Sequence, residues 1–360
     1  MIRNRQIDGL RGVTIFLIVI FHLFCRYREI YCGYTIWYIK WMGNFGNSIF
    51  LLISSYFLIG TLGEKINLIK FWIKKIFRLW PCYMVAITLT MIFTHNFQLP
   101  QRTSTWKEYL LNVGFVNGFV GCAYVDGAHW YITTLIGAII VVGFIKYFQI
   151  DRYVCTYLVW LSLEGLTGKA GIIPLNQLLG SSYVAIICSG IAISIMIQKQ
   201  YKIKDLFQFM KIKKYILTNK WMFLCIICFG YHLIRKGVLA AVCLSLAIPV
   251  FLIVLYKKGK ILESKIFQFM GMISYPLYLI HQNIAYLFEF NLSEKYSEIS
   301  LNLIACIAFF IVLTIGIAMY YLIEKPTQNW IRSCTFFNKS EAGRNGGRPH
   351  ERQIKRIKRP

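Results

Sequence analysis

Acidic side chains are scarce in this chain: 15 Asp and Glu stand against 40 Lys and Arg in 360 residues, and only 15% of positions are charged. A soluble chain carries roughly a quarter charged residues, so the composition argues against a soluble domain. The surplus of base does not form a nucleic-acid stripe, because the cations sit in short loops between apolar runs. No nucleic acid is therefore expected among the partners. There is no HExxH, P-loop, GxGxxG or GxSxG, which removes the metalloprotease, NTPase, dinucleotide-binding and serine-hydrolase readings. No repeat of 20–50 residues is evident. The 11 cysteines are scattered, mostly inside apolar runs where a thiol acts as a small apolar group. Cys225 and Cys228 form a CxxC inside such a run without His or Cys partners, so no metal or redox site is expected. Cys32 and Cys122 fall in outer loops, a compartment compatible with a disulfide between them.

What the chain has in excess is apolar length: 57% of residues are hydrophobic and the mean hydropathy is +0.54. Ten candidate spans fall at 9–25, 43–62, 79–95, 129–148, 152–166, 178–197, 221–235, 238–256, 269–289 and 301–323. The expectation is an all-α, polytopic transmembrane helix bundle of about ten spans, with the N- and C-termini cytoplasmic. With the N-terminus inside, 31 of the 40 Lys and Arg lie on the inner side and 9 on the outer, which supports both the count and the orientation. Arg3 and Arg5 precede an apolar core as in a signal peptide, but no small-residue cleavage site follows. The segment reads as a retained first helix. Residues 1–330 form one integral-membrane domain, and 331–360 a basic, disordered tail drawn to the membrane surface. Segments Glu64–Arg78 and Gln198–Lys220 are basic, aromatic and amphipathic, and are expected to lie on the anionic inner leaflet. The short apolar stretch 108–121 reads as re-entrant or interfacial, packed against the bundle.

Ionisable groups at membrane depth are costly and mark function by default. Two polar lines stand out. In IDGLRGVTIFLIVIFHLF, Asp8 and Arg11 are three apart on one helical face, and His22 lies eleven residues past Arg11. Eleven residues are three turns, so His22 points the same way about 16 Å deeper. In MISYPLYLIHQNI, Ser274, Tyr278 and His281 fall within about 60° of one another, and Tyr275 and Gln282 widen the stripe to about 120°. His22 and His281 reach depths of about 20 and 18 Å on helices of like direction, so both could face one cavity. The bland alternatives are a packed histidine and ordinary interhelical hydrogen bonds.

At the start of the third span, KKIFRLWPCY places Lys75 and Arg78 three apart on one face, with Pro81 suited to a helix restart. Two fixed cations there suit a phosphate-bearing cytoplasmic ligand, against plain snorkelling. The remaining polar groups carry weaker signals. His129, Trp130 and Tyr131 read as an interfacial belt, and His95 and His232 as interfacial. Glu164 and Glu289 lie near outer span ends, and Glu324-Lys325-Pro326 closes the tenth span, where proline stops the helix.

These residues together resemble the integral-membrane acyltransferase family 3, the polysaccharide O-acyltransferases, over nearly all of residues 3–330. Arg11 and His22 match that family's basic residue, ten-residue gap and histidine. NSIFLLISSYFLIG at 47–60 resembles its second-span block around Ser54, Tyr56 and Phe57, with Ser55 where a glycine is usual. KKIFRLWPCY resembles its pair of arginines followed by proline and an aromatic, Lys75 keeping charge but losing the bidentate fork. AHWYI, ISYPLYLIHQ and EKP complete six matches in order.

The resemblance implies transfer of an acyl group, commonly acetyl, from cytoplasmic acyl-CoA to a hydroxyl of a cell-surface or exported glycan, in the plasma membrane. Acetyl-CoA is then a donor substrate, and no permanently bound cofactor or metal is expected. The other partners are membrane lipid and a glycan or lipid-linked saccharide acceptor. The extracytoplasmic domain of some relatives is not seen after the last span, so a separate partner protein is compatible with the pattern. In this reading His22 is the general base, since a sugar hydroxyl is too weak an acid to attack unaided. Arg11 orients the donor or steadies developing charge, with Asp8 positioning it. Lys75 and Arg78 hold CoA phosphates, while Tyr278, His281 and Ser274 support acceptor or oxyanion. A covalent acyl-enzyme stays open. The rival reading is a transporter or glycan flippase without chemistry, which does not account for a cationic inner mouth. The broken helices typical of carriers are not evident in the sequence.

Overall fold

Asn4 accepts a hydrogen bond from the Gln6 amide at 3.0 Å and so starts the first helix, α1 (Arg5–Tyr31). The computed structural model describes residues 4–60, 62, 66–198, 220–256 and 258–334, and among these it contains helices and turns but no strand. The protein is an all-α, multi-pass helix bundle. After α1 come α2 (Trp41–Gly60), α3 (Leu68–Asn96), the short α4 (Trp106–Val113), α5 (Trp130–Tyr147), α6 (Val154–Lys169), α7 (Ile173–Leu178) and α8 (Val184–Gln198). Then follow α9 (Lys220–Lys236), α10 (Val238–Leu255), α11 (Lys265–Met272), α12 (Ser274–Ile280), α13 (Asn283–Lys295) and α14 (Leu301–Ser333). In the core α2 packs against α1, α8 and α10, and α1 lies along α11.

Seven segments among the described residues are long and apolar enough to cross a membrane by length and composition: Arg5–Tyr31, Trp37–Gly60, Leu68–Asn96, Gly127–Tyr147, Ile173–Gln198, Val238–Leu255 and Leu301–Ser333. The other three expected spans take different forms. Those at 152–166 and 221–235 are the shorter helices α6 and α9, and 269–289 is broken into α11, α12 and α13. Broken helices are therefore present, contrary to the sequence expectation. The breaks fall at Ile273 and at His281–Gln282, and irregular backbone at membrane depth is stable where it is buried in protein.

Three further expectations are corrected. Pro81 does not restart a helix: α3 runs unbroken from Leu68, capped by Asn67, through Pro81 to Asn96. The part of Glu64–Arg78 from Leu68 on is thus the first turns of this helix and no separate surface element. Pro326 does not stop the last helix either, because a π-turn at Tyr320–Glu324 leads into helix that continues to Ser333. Cys32 and Cys122, whose loop positions allow a disulfide without requiring one, are each a free thiol. Residues 199–219, the bulk of the second amphipathic segment, and the tail from 335 lie outside the described residues.

The segment after α3 packs on the bundle as expected. A capping box between Thr105 and Glu108 starts α4, and Asn112 accepts from the Tyr83 hydroxyl at 3.3 Å while donating to the Ala123 carbonyl at 3.0 Å. Ser55 bonds back to the Leu51 carbonyl and packs against Gly190 of α8, where an added Cβ would collide with its hydroxyl. The glycine absent from α2 is supplied by its neighbour.

Candidate active site

Gly9 and Gly12 of α1 face the chain at Leu262–Gly271 with no side chain between the backbones. A Cβ on Gly12 would collide with the Phe267 carbonyl oxygen and stand 2.9 Å from the Gly271 amide nitrogen. This close approach fixes the stretch of α1 that carries Asp8 and Arg11. Both line a cavity of about 620 Å³, within the range of about 300–1,000 Å³ usual for small-molecule sites.

Lys75 and Arg78 of α3 line the same cavity, as do Ser274, Tyr275 and Tyr278 of α12, and Ser54, Tyr56 and Phe57 of α2. Arg78 is exposed at the mouth, whereas Lys75 is half-buried with its ammonium 5.8 Å from the centre of the Phe71 ring. Several of the polar groups are tied to backbone. Ser274 donates to the Gly271 carbonyl (2.8 Å), Tyr275 to the Leu79 carbonyl (2.8 Å) and Tyr278 to the Ala128 carbonyl (2.6 Å). The Tyr278 proton is thus committed, and its oxygen offers only lone pairs.

His22 and His281 do not line that cavity; they meet behind Tyr278. The Tyr278 and His281 ring centres are 5.4 Å apart, and the His281 and His22 rings stand edge to face at 4.6 Å. His22 opens a π-turn, His22–Arg26, inside α1, a distortion frequent at functional sites. Its Nδ1 lies 2.9 Å from the Ile18 carbonyl oxygen, which only accepts, so the neutral ring carries its proton on Nδ1. His281 Nδ1 likewise donates to the Tyr278 carbonyl at 2.7 Å, leaving His281 Nε2 as an acceptor 3.2 Å from His22 Nδ1. The pair therefore leaves a free lone pair on His22 Nε2. That atom has no hydrogen-bond partner among the described residues and is not sealed from solvent, His22 being half-buried. His281 is fully buried with both nitrogens engaged, so it is placed to orient its neighbour rather than to touch a ligand.

Two cavity residues went unrecognised in the sequence. Tyr131 shares a hydrogen bond with Ser54 at 2.8 Å across the cavity wall and does not lie in an interfacial belt. Its helical neighbours Leu135 and Ile139 line the same wall, a four-residue period that was the available signal. Glu324, read as part of a helix stop, is buried in the lining within the field of Arg11 and Arg78. One of its oxygens accepts from Gln328 at 2.8 Å and the other has no partner among the described residues. An acid directly after a long apolar run was its signal.

Other polar groups prove structural. His129 is not at an interface but fully buried, its Nε2 donating to the Leu279 carbonyl at 2.8 Å. His232 is also buried, whereas His95 is exposed. Glu164 is buried in an ion pair with Arg235 at 2.8 Å, and further held by Asn176 and the Tyr231 hydroxyl.

Residues 4–321 match a family model described as an acyltransferase domain. No curated protein and no solved structure matches the chain.

Proposed function

The chain belongs to acyltransferase family 3, and from that membership we propose that it moves an acyl group, acetyl in the first instance, from cytoplasmic acyl-CoA to a hydroxyl of a cell-surface or exported glycan across the plasma membrane. The observation that carries this reading is the alignment of a cationic cavity mouth, Arg11, Lys75 and Arg78, with a histidine pair behind its tyrosine wall. Arginine and lysine at a half-open mouth suit the phosphates of CoA. His22 Nε2 takes the proton of the sugar hydroxyl as its oxygen attacks the thioester carbonyl. Arg11, which Asp8 positions, orients the donor from the mouth, and collapse of the tetrahedral intermediate breaks the carbon–sulfur bond. The CoA thiolate then recovers the proton from His22 Nε2. Throughout, the Ile18 carbonyl and His281 Nε2 hold the proton on Nδ1, so His281 is a positioning residue. Tyr278 and Ser274 shape the wall.

The test is passage of labelled acetyl from acetyl-CoA to surface glycan. His22→Ala in folded, membrane-inserted protein should lose about 10²–10⁴-fold in rate, the usual contribution of a positioned base. A normal product level in that variant would overturn the assignment. Glycan movement without any label transfer would favour a carrier, which also uses broken helices.

A further inference from the structure

Beyond the histidine pair, away from the cationic mouth, a second set of polar groups keeps charge or hydrogen-bonding capacity that the protein does not fully use. Arg78 and the end of α3 at Asn96 are 18 residues apart, about 27 Å along a helix. Arg102 follows that far end, and its charge and that of Arg26 are the two cationic fields that reach the His22 ring. The two arginines differ. Arg26 is paired with Glu29 at 2.7 Å, and Glu29 also holds Lys40 at 3.1 Å. Arg102 is half-buried, donates a hydrogen bond to the Tyr31 phenol oxygen and has no carboxylate within ion-pair distance among the described residues.

Its guanidinium meets the side-chain amide of Gln282 over the backbone of Gly127, where an added Cβ would stand 2.8 Å from both Arg102 Nη1 and Gln282 Nε2. Gln282 occupies the break between α12 and α13, directly after His281. It is only 5% exposed, yet its amide makes no hydrogen bond to any described residue. A half-buried guanidinium without a counter-charge and a buried amide without a hydrogen bond both carry a cost that a ligand can relieve. Arg102, Gln282 and His22 thus contribute a cation without a carboxylate, an amide without a hydrogen-bond partner and a free imidazole lone pair, Gln282 following directly on His281, which holds His22.

We propose that Arg102, Gln282 and His22 form the acceptor site, and that the acceptor is an acidic saccharide. Arg102 takes a carboxylate or phosphate through its planar fork. Gln282 binds a neighbouring sugar hydroxyl, and the hydroxyl to be acylated lies at His22 Nε2. This assignment rests on the acyl-transfer reading and deepens it by naming the chemistry of the substrate.

The experiment uses the full chain in detergent or vesicles with labelled acetyl-CoA. Three acceptors are compared: a uronic-acid oligosaccharide, the same oligosaccharide with its carboxyls reduced to alcohols, and a phosphate-bearing saccharide. At least one charged acceptor should be preferred over the reduced one, and which one responds tells carboxylate from phosphate. Arg102→Gln should raise the acceptor KM about tenfold or more, the weight of a charged hydrogen bond, with the acetyl-CoA KM unchanged and the preference for charge lost. Equal use of the reduced acceptor, or an Arg102→Gln loss shared equally by all three, overturns the proposal. Equilibrium binding of the same saccharides without acetyl-CoA gives a readout free of turnover. Charge-dependent binding that Arg102→Gln abolishes, with no acyl transfer to any acceptor, would sustain the site and sink the enzymatic reading. Binding indifferent to charge would sink the site alone.

Discussion

Arg78 and Lys75 allow the donor mouth to be tested in opposite directions. Removing a guanidinium that holds a phosphate costs about 1.5–3 kcal/mol, so Arg78→Ala should raise the KM for acetyl-CoA by roughly ten- to a hundredfold. Its kcat should change little, because a phosphate bound far from the thioester is held equally in ground and transition states. Lys75→Arg should lower the same KM, since the fork restores bidentate contact that an ammonium lacks. Initial rates over a range of acetyl-CoA decide both, and unchanged donor dependence in Arg78→Ala would remove these residues from the donor site. At this scale polarity interrupting an apolar helix marked Asp8 and Arg11, which line the cavity, and His22 and His281, which meet behind it. Glu324 and Tyr131 escaped because their local context has a commoner meaning. An acid beside proline looks like a helix end, and an aromatic triplet at a span start looks like an interfacial belt. Only the packing of α3, α5 and α14 around the cavity turns those two side chains inward.

Helix pairs are where the glycines of the first motif acquire their meaning. Gly12→Ala places a Cβ against the Phe267 carbonyl, a backbone atom that cannot swing aside. The helices must part, at about 1–3 kcal/mol for such overpacking, and Arg11 moves with them. Gly12→Ala should therefore lower the melting temperature of the detergent-solubilised protein and raise the acetyl-CoA KM together. Gly230→Ala is the control, because nothing lies within 4 Å of its added Cβ, and it should change neither. A Gly12→Ala protein as stable and active as the parent would show that the contact does not fix Arg11. The elements were less legible than the residues for one physical reason. Proline and π-turns read as boundaries in a soluble chain, but membrane helices absorb them by re-satisfying the freed backbone groups nearby. Hence Pro81 and Pro326 lie within helices, while the break that matters, at His281–Gln282, carries no proline and was invisible. The Glu164–Arg235 pair, its carboxylate fully buried and its guanidinium half-buried, is structural by contrast. Arg235→Ala leaves the Glu164 carboxylate buried without its cation, which should cost about 3–5 kcal/mol of stability. A thermal melt reads that loss, and an unchanged acetyl-CoA KM would separate it from the donor site.

For the molecule as a whole, composition alone carried most of the fold: an apolar, base-rich chain with cations segregated to one side has few alternatives to a helix bundle in a membrane. The number of crossings was less legible, since α6 and α9 are short and the ninth segment is in pieces. What the bundle adds is a cavity mouth at Lys75 and Arg78 near one end of α3 and a polar cluster at Arg102 beyond its other end, with the histidine pair between them. That arrangement has a consequence for sidedness. Acetyl-CoA is too polar to cross the bilayer, so in sealed membranes only the face bearing the N-terminal mouth can be supplied with donor. Inside-out vesicles given external acetyl-CoA should transfer label to acceptor enclosed in the lumen, and right-side-out vesicles given the same donor outside should not. Adding acetyl-CoA to the interior of right-side-out vesicles should restore transfer to acceptor on the outside. If donor and acceptor react only when both are on the same side, the histidine pair does not join the mouth to the Arg102 cluster, and the path drawn from Arg78 to His22 is closed.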